Sequence, residues 1–138
     1  YHRPYTRHGL MQSPEIQRNA ETLIKEFDIR TPSSYLQTRN LSGGNIQKVI
    51  SAREFSKDPQ ILIADNPTMG LDIAATDYIH RKLIELKKQR RAVLLISEDL
   101  DEILELGDRI AVIARGRIVC VEEKGKLNRE QIALKMTD

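Results

Sequence analysis

Apolar residues recur at Ile16, Ala20, Leu23, Ile24 and Phe27, the spacing of one face of an α-helix, and predict a helix over residues 14–27. Ser13 is its candidate N-cap and Pro14 suits its first turn, while Thr31, Pro32, Ser33 and Ser34 mark a loop after it. The first thirteen residues show no period. Ser42, Gly43, Gly44 and Asn45 open a second helix, whose apolar stripe of Ile46, Val49 and Ile50 runs on toward a stop at Pro59.

Beyond Pro59 the pattern changes. Residues 61–64 (Ile, Leu, Ile, Ala) form a short unbroken apolar run, as in a strand buried on both faces, and residues 93–96 form another. Between them Ala75, Ile79, Leu83 and Leu86 keep helical spacing, so strand, helix and strand make a crossover unit of a parallel sheet. Leu100, Ile103 and Leu104 mark a short helix stopped near Gly107. The apolar stretches 110–113 and 117–121 flank Arg115-Gly116 as a hairpin, and Asn128 with Gln131 resembles a capping box before a last helix through Met136. The expected architecture is α/β, with a mostly helical part over residues 1–58 and a sheet-containing part over residues 59–138. There is no internal repeat.

At 138 residues the chain is one domain or a piece of one, and Tyr1 in first place, without an initiator Met, suggests a segment of something longer. Lys and Arg total 22 against 20 Asp and Glu, a net charge of +2 that makes no electrostatic case for nucleic acid or an anionic membrane surface. The single cysteine, Cys120, has no second thiol and no metal-ligand spacing around it, which fits a reducing, cytosolic compartment. No apolar run approaches the roughly 18 to 20 residues of a membrane-spanning helix.

The residues with chemistry to offer are few. A helix that opens with Ser42 and two glycines presents unpaired backbone N–H groups on a surface without Cβ atoms, which suits the close approach of an anion. Alone it is also the start of any N-capped helix. Asp65 ends a strand, where a carboxylate is either a turn former or a ligand orienting Mg²⁺ through water. His2, His8 and His80 show no ligand spacing to one another and suit solvated or helix-surface positions, and no metal cluster is expected. Lys87, Lys88, Arg90 and Arg91 are a dipole-complementing helix end rather than a nucleic-acid patch.

Taken in order, Leu41-Ser42-Gly43-Gly44-Asn45-Ile46-Gln47-Lys48, then residues 61–67 with Asp65, Asn66 and Pro67, then Gly70-Leu71-Asp72, resemble the signature motif, Walker B strand and D-loop of the ABC ATPase family. The Ser-Gly-Gly-Asn-x-Gln-Lys form is similar to the second ATPase half of fused carbohydrate and nucleoside importers, over nearly the whole chain. The resemblance implies a helical subdomain followed by the C-terminal part of a RecA-like P-loop NTPase sheet. It implies ATP and Mg²⁺ as cofactors, and Leu41, Ser42, Gly43, Gly44, Asn45, Gln47 and Asp72 as nucleotide-binding positions. It also implies Asp65 as the residue holding Mg²⁺ through water. In this context the strand-Asp-x-Pro arrangement favours the ligand reading of Asp65, whereas Asp72 stays divided between D-loop and plain N-cap.

Two positions depart from the family pattern. Asn66 stands where a glutamate usually polarises the attacking water, and an amide cannot take a proton. Glu98 stands where a switch histidine is usual, and a carboxylate there repels a γ-phosphate, although it also favours the start of the following helix. The catalytic positions of this half are therefore expected to be degenerate. No G-x-x-x-x-G-K-[ST] phosphate loop occurs, so the segment alone is expected to be inactive and its signature to serve nucleotide held by another ATPase half. The resemblance further implies membrane permease subunits as partners, no nucleic acid, and a peripheral place on the cytoplasmic face of the cell membrane. Asn66 and the stretch Ile96 to Leu100 look closer to nucleoside than to ribose-type importers. A non-catalytic interaction module on the same fold is the alternative.

Overall fold

The helical face of residues 16–27 folds as α1 (Ser13–Glu26) in the computed structural model, which describes residues 5–7 and 10–137. Its N-cap is Gln12 rather than Ser13, and no side chain caps it. Pro14 removes one of the N–H groups that a cap would satisfy, and the Gln12 carbonyl accepts from the N–H groups of Glu15 and Ile16. Ahead of it β1 (Thr6–Arg7) pairs antiparallel with β2 (Leu10–Met11), strands of two residues each and too short to show alternation in the sequence.

Phe27 closes α1 and turns inward with Ile29. With Ala52 of α2 (Gly43–Phe55) they form a buried core, against which Leu23, Ile24, Val49, Phe55 and Tyr78 pack. The Phe27 ring stacks on Phe55 at 6.3 Å and meets Tyr78 edge-on at 5.0 Å, both within the range of favourable aromatic pairs. The buried residues of α2 are Lys48, Ser51 and Ala52, not the stripe of Ile46, Val49 and Ile50, and Ile50 is exposed. The small Ala52 packs with the bulky Phe27, and Lys48 finds a partner in Asp28. Only 7% exposed, Lys48 donates through Nζ to the Asp28 carbonyl at 3.0 Å and to Asp28 Oδ2 at 3.4 Å.

The chain forms two compact units. One takes the residues up to Asp58 together with Thr68–Ile79, the other Pro59–Pro67 together with His80–Asp138. In the second, β3 (Ile61–Asp65) pairs in parallel with β4 (Ala92–Ile96), Ile61 opposite Ala92 and Asp65 opposite Ile96, and the connection runs through α3 (Ile73–Lys88). Neither strand is buried on both faces as its apolar run suggested. Ile61 and Ile63 are 69% and 65% exposed, and Leu94 and Ile96 share their face, because among the described residues one side of the pair has no covering layer.

After α4 (Leu100–Leu106), β5 (Arg109–Ala114) and β6 (Arg117–Glu123) form the hairpin. Its turn residues Arg115 and Gly116 are both left-handed, at φ 48° and 75°, as a two-residue turn matching strand twist requires. Ile110 and Val112 pack with Ile132 of α5 (Arg129–Thr137) in a second core. The capping box is formed: Gln131 N–H donates to Asn128 Oδ1 at 2.8 Å and Asn128 N–H donates to Gln131 Oε1 at 3.0 Å. Glycine at 107 is explained by space, since a Cβ there would lie 2.8 Å from the Ile103 carbonyl oxygen.

Candidate functional site

The first group of residues sits at the start of α2. Ser42 is extended, with φ −66° and ψ 156°, and its Oγ accepts from the Asn45 N–H at 3.4 Å and from Asn45 Nδ2 at 2.9 Å. Asn45 Oδ1 in turn accepts from the Arg30 N–H at 2.8 Å, which ties the helix start to the segment after α1. Gly43 and Gly44 occupy the first turn, where helical geometry gives N–H groups no acceptor. A Cβ on Gly43 would meet nothing within 4 Å, so packing among the described residues gives no reason for glycine there. A Cβ on Gly44 would stand 3.3 Å from the Gly70 carbonyl oxygen, so this glycine allows a close approach to the segment 70–72. Leu41 and Gln47 flank the group half-buried, and the Leu41 N–H donates to the Thr38 carbonyl at 3.0 Å.

In the same unit Gly70 is left-handed at φ 75°, and Asp72 Oδ1 accepts the Ala75 N–H at 2.9 Å. Asp72 therefore has the hydrogen bond of an N-cap, and its carboxylate is exposed.

The second group gathers at the carboxyl ends of β3 and β4, the edge at which parallel sheets bind ligands. Asp65 is exposed at the end of β3, and its Oδ1 accepts from Asn66 Nδ2 at 3.1 Å. Asn66 is left-handed at φ 42°, a region that asparagine tolerates better than most residues. Its N–H donates to the Ile96 carbonyl at 2.8 Å, and its Oδ1 accepts the Glu98 N–H at 3.1 Å. The amide thus joins the two strand ends, with one donor and one acceptor engaged within the protein. Glu98 is exposed, and its neighbour Asp99 is the N-cap of α4, accepting from the N–H groups of Asp101 and Glu102. Ser42, Gly43, Gly44, Asn45 and Asp72 fall in the first unit, and Asp65, Asn66 and Glu98 in the second.

A fit to Mg²⁺ can be tested on this geometry. Among the described residues no group of three His, Cys, Asp or Glu could hold a metal ion, so no all-protein cage is formed. An exposed single carboxylate such as Asp65 suits a cation that keeps most of its waters and takes its other ligands from phosphate.

His80 is not a solvated surface residue. Its Nε2 lies 2.9 Å from Oε1 of the buried Glu102 and its Nδ1 lies 3.8 Å from Glu105 Oε2, because α4 brings both carboxylates to this face of α3. His2 and His8 lie outside the described residues. The Asn45 to Arg30 and Lys48 to Asp28 ties, both held by α2, also escaped the sequence reading. A charged Lys48 beside an apolar stripe was the available signal.

No protein-family model matches the chain. It is 44% identical over 136 residues to the guanosine import ATP-binding protein NupO of Bacillus subtilis and 40% identical over 136 residues to the nucleoside import ATP-binding protein NupA of Lactococcus lactis. Each match covers 99% of this chain and 27% of the relative, so the chain spans about a quarter of the length of these curated relatives. The ribose import ATP-binding protein RbsA of Clostridium perfringens is 41% identical over 121 residues, covering 88% of this chain and 23% of that protein. Among solved structures, the dimeric bacterial ABC transporter cassette MJ0796 is similar at a TM-score of 0.72 and 25% identity, over 88% of this chain and 52% of that one. The same cassette in a post-hydrolysis state bound to ADP and Pi gives 0.73 over the same shares.

Proposed function

We propose, for a chain that belongs to the ABC import ATP-binding proteins, a role as the signature-bearing segment of an importer ATPase, where ATP binding and hydrolysis drive uptake of a nucleoside or simple sugar. The observation that carries this reading is the open, Ser42-capped start of α2, with a bare Gly43 that no packing among the described residues explains. First-turn N–H groups and the positive end of the helix dipole would then meet the γ-phosphate of nucleotide held by another ATPase half. In this reading residues 1–58 act as the helical subdomain, and residues 59–138 supply the Walker B, D-loop and switch positions.

Ser42, Gly43, Gly44 and Asn45, flanked by Leu41 and Gln47, and Asp72 from the D-loop, serve the partner's nucleotide. Asp65 would hold Mg²⁺ through water at this half's own site. The remainder of the cassette has a place to join: among the described residues β4 and β5 each pair along one edge only, and residues of both strands, Leu95 and Val112 among them, line an open groove. Permease subunits complete the assembly at the cytoplasmic face of the membrane, and no nucleic acid takes part.

Asn66 and Glu98 make the site of this half slow. Asn66→Glu would place a carboxylate beside Asp65, remove the amide bridge to Glu98, and put a longer side chain on a left-handed residue at a cost of about 1 kcal/mol. The substitution is therefore expected to raise hydrolysis at this site no more than a few-fold, measured in the full-length protein with the partner site disabled. A tenfold rise would show that the amide alone limits turnover.

Uptake tests the transport reading. Vesicles carrying the full-length protein with its permease are expected to accumulate labelled nucleoside only with ATP, and excess unlabelled guanosine should compete better than excess ribose. ATP-independent or absent uptake of both would favour the non-catalytic module.

A further inference from the structure

The proton arrangement around Ser42 follows from its neighbours. A backbone N–H can only donate, so the atom of Asn45 that meets the Arg30 N–H at 2.8 Å is Oδ1, and the group turned to Ser42 Oγ at 2.9 Å is Nδ2. Ser42 Oγ also receives the Asn45 N–H at 3.4 Å. A serine hydroxyl has two acceptor lone pairs and one proton. Both lone pairs are engaged from the Asn45 side, and the proton is left to donate elsewhere.

We infer that Asn45 is a positioning residue that fixes Ser42 as a hydrogen-bond donor toward an anionic oxygen at the open start of α2. The inference rests on the proposed signature role, and adds that Asn45 acts through Ser42 rather than by touching nucleotide itself. Arg30 takes part through its backbone alone, as the donor that sets which way the amide faces. Two N–H donors on one oxygen draw electron density from it and strengthen the O–H as a donor. The hydroxyl is then ordered before the anion arrives, so no rotor freedom is lost on contact.

Aspartate separates this from a structural role. It has the shape of asparagine and keeps an acceptor for the Arg30 N–H, but its side chain offers no donor to Ser42. The hydroxyl proton would instead turn inward to the new carboxylate.

The test uses the full-length protein with its permease, reading ADP–vanadate trapping at the partner site together with Mg-ATP affinity when hydrolysis is arrested. Ser42→Ala is expected to weaken trapping about tenfold to a hundredfold, the loss of one hydrogen bond to a charged group. Asn45→Asp should weaken it at least as much, and Asn45→Ala several-fold. In the Ser42→Ala background neither Asn45 substitution should change trapping more than twofold. Equal losses in both backgrounds, or wild-type trapping by Asn45→Asp, overturn the inference while leaving the signature reading intact. If Ser42→Ala and Gly43→Asp both leave trapping unchanged, the signature reading falls and the inference with it.

Discussion

Gly43→Asp is expected to lower ATP hydrolysis and uptake by the full-length protein about a thousandfold, while Asn66→Ala keeps at least half of each. Gly43 is exposed, and a Cβ there meets nothing within 4 Å among the described residues, so the substitution starts from open space. An acidic residue in the first turn of α2 even suits the helix dipole, so the helix itself should hold. The damage is confined to what approaches from outside. Two unit charges about 4 Å apart at an effective dielectric of about 20 repel by about 4 kcal/mol, which is about three factors of ten in rate. Asn66→Ala removes two exposed hydrogen bonds, and in the proposed reading they belong to a slow site while the partner site carries the turnover. Steady-state hydrolysis and cargo uptake at matched expression decide between them. Equal damage from the two substitutions would contradict the division of Ser42–Gly44 and Asn66 between two nucleotides, and Gly43→Ala as a mild variant reports whether bulk alone matters.

The elements were legible where one local rule governed them. The spacing of Ile16 to Phe27 marked α1, and the capping box of Asn128 and Gln131 formed at the position its pattern indicates, since both depend on neighbours three or four residues away. Arg115-Gly116 marked the hairpin because few pairs suit two left-handed residues in succession. Burial was less legible. An apolar run says what a strand can bury, but Ile61 and Ile63 stay exposed because covering them needs a layer that the described residues do not contain.

The same limit applied to the candidate site. Motif order singles out Ser42, Asp65, Asn66 and Glu98 as candidates, yet nothing local could show that Asn45 binds the backbone of Arg30, fifteen residues away, or Asn66 that of Glu98, thirty-two residues away. The pairing of His80 is hidden for that reason too, because Glu102 reaches it only through the packing of α4. Side chains with two hydrogen-bonding ends take their roles from tertiary placement, and periodicity has no access to it.

Phe27→Ala is expected to loosen α2 as a unit, and the effect follows from how little core this part of the chain has. The buried members of its cluster are Phe27, Ile29 and Ala52, and Phe27 supplies the aromatic contacts that reach both Phe55 and Tyr78. Truncating a buried phenylalanine to alanine costs about 3–5 kcal/mol, a large share of the roughly 5–15 kcal/mol that holds a domain folded. Lys48 to Asp28 and Asn45 to Arg30 would remain, but each is a single polar tie worth about 1 to 3 kcal/mol and depends on the turn that Phe27 anchors. Hydrogen exchange of the full-length protein should therefore show protection of the α2 amides falling about a hundredfold or more. The β5 and β6 amides, whose core of Ile110, Val112 and Ile132 shares no residue with this one, should change little. Phe27→Leu keeps most of the volume and should lose no more than about tenfold. Protection of α2 within tenfold of wild type in Phe27→Ala would mean that the polar ties, not the aromatic cluster, hold this helix in place.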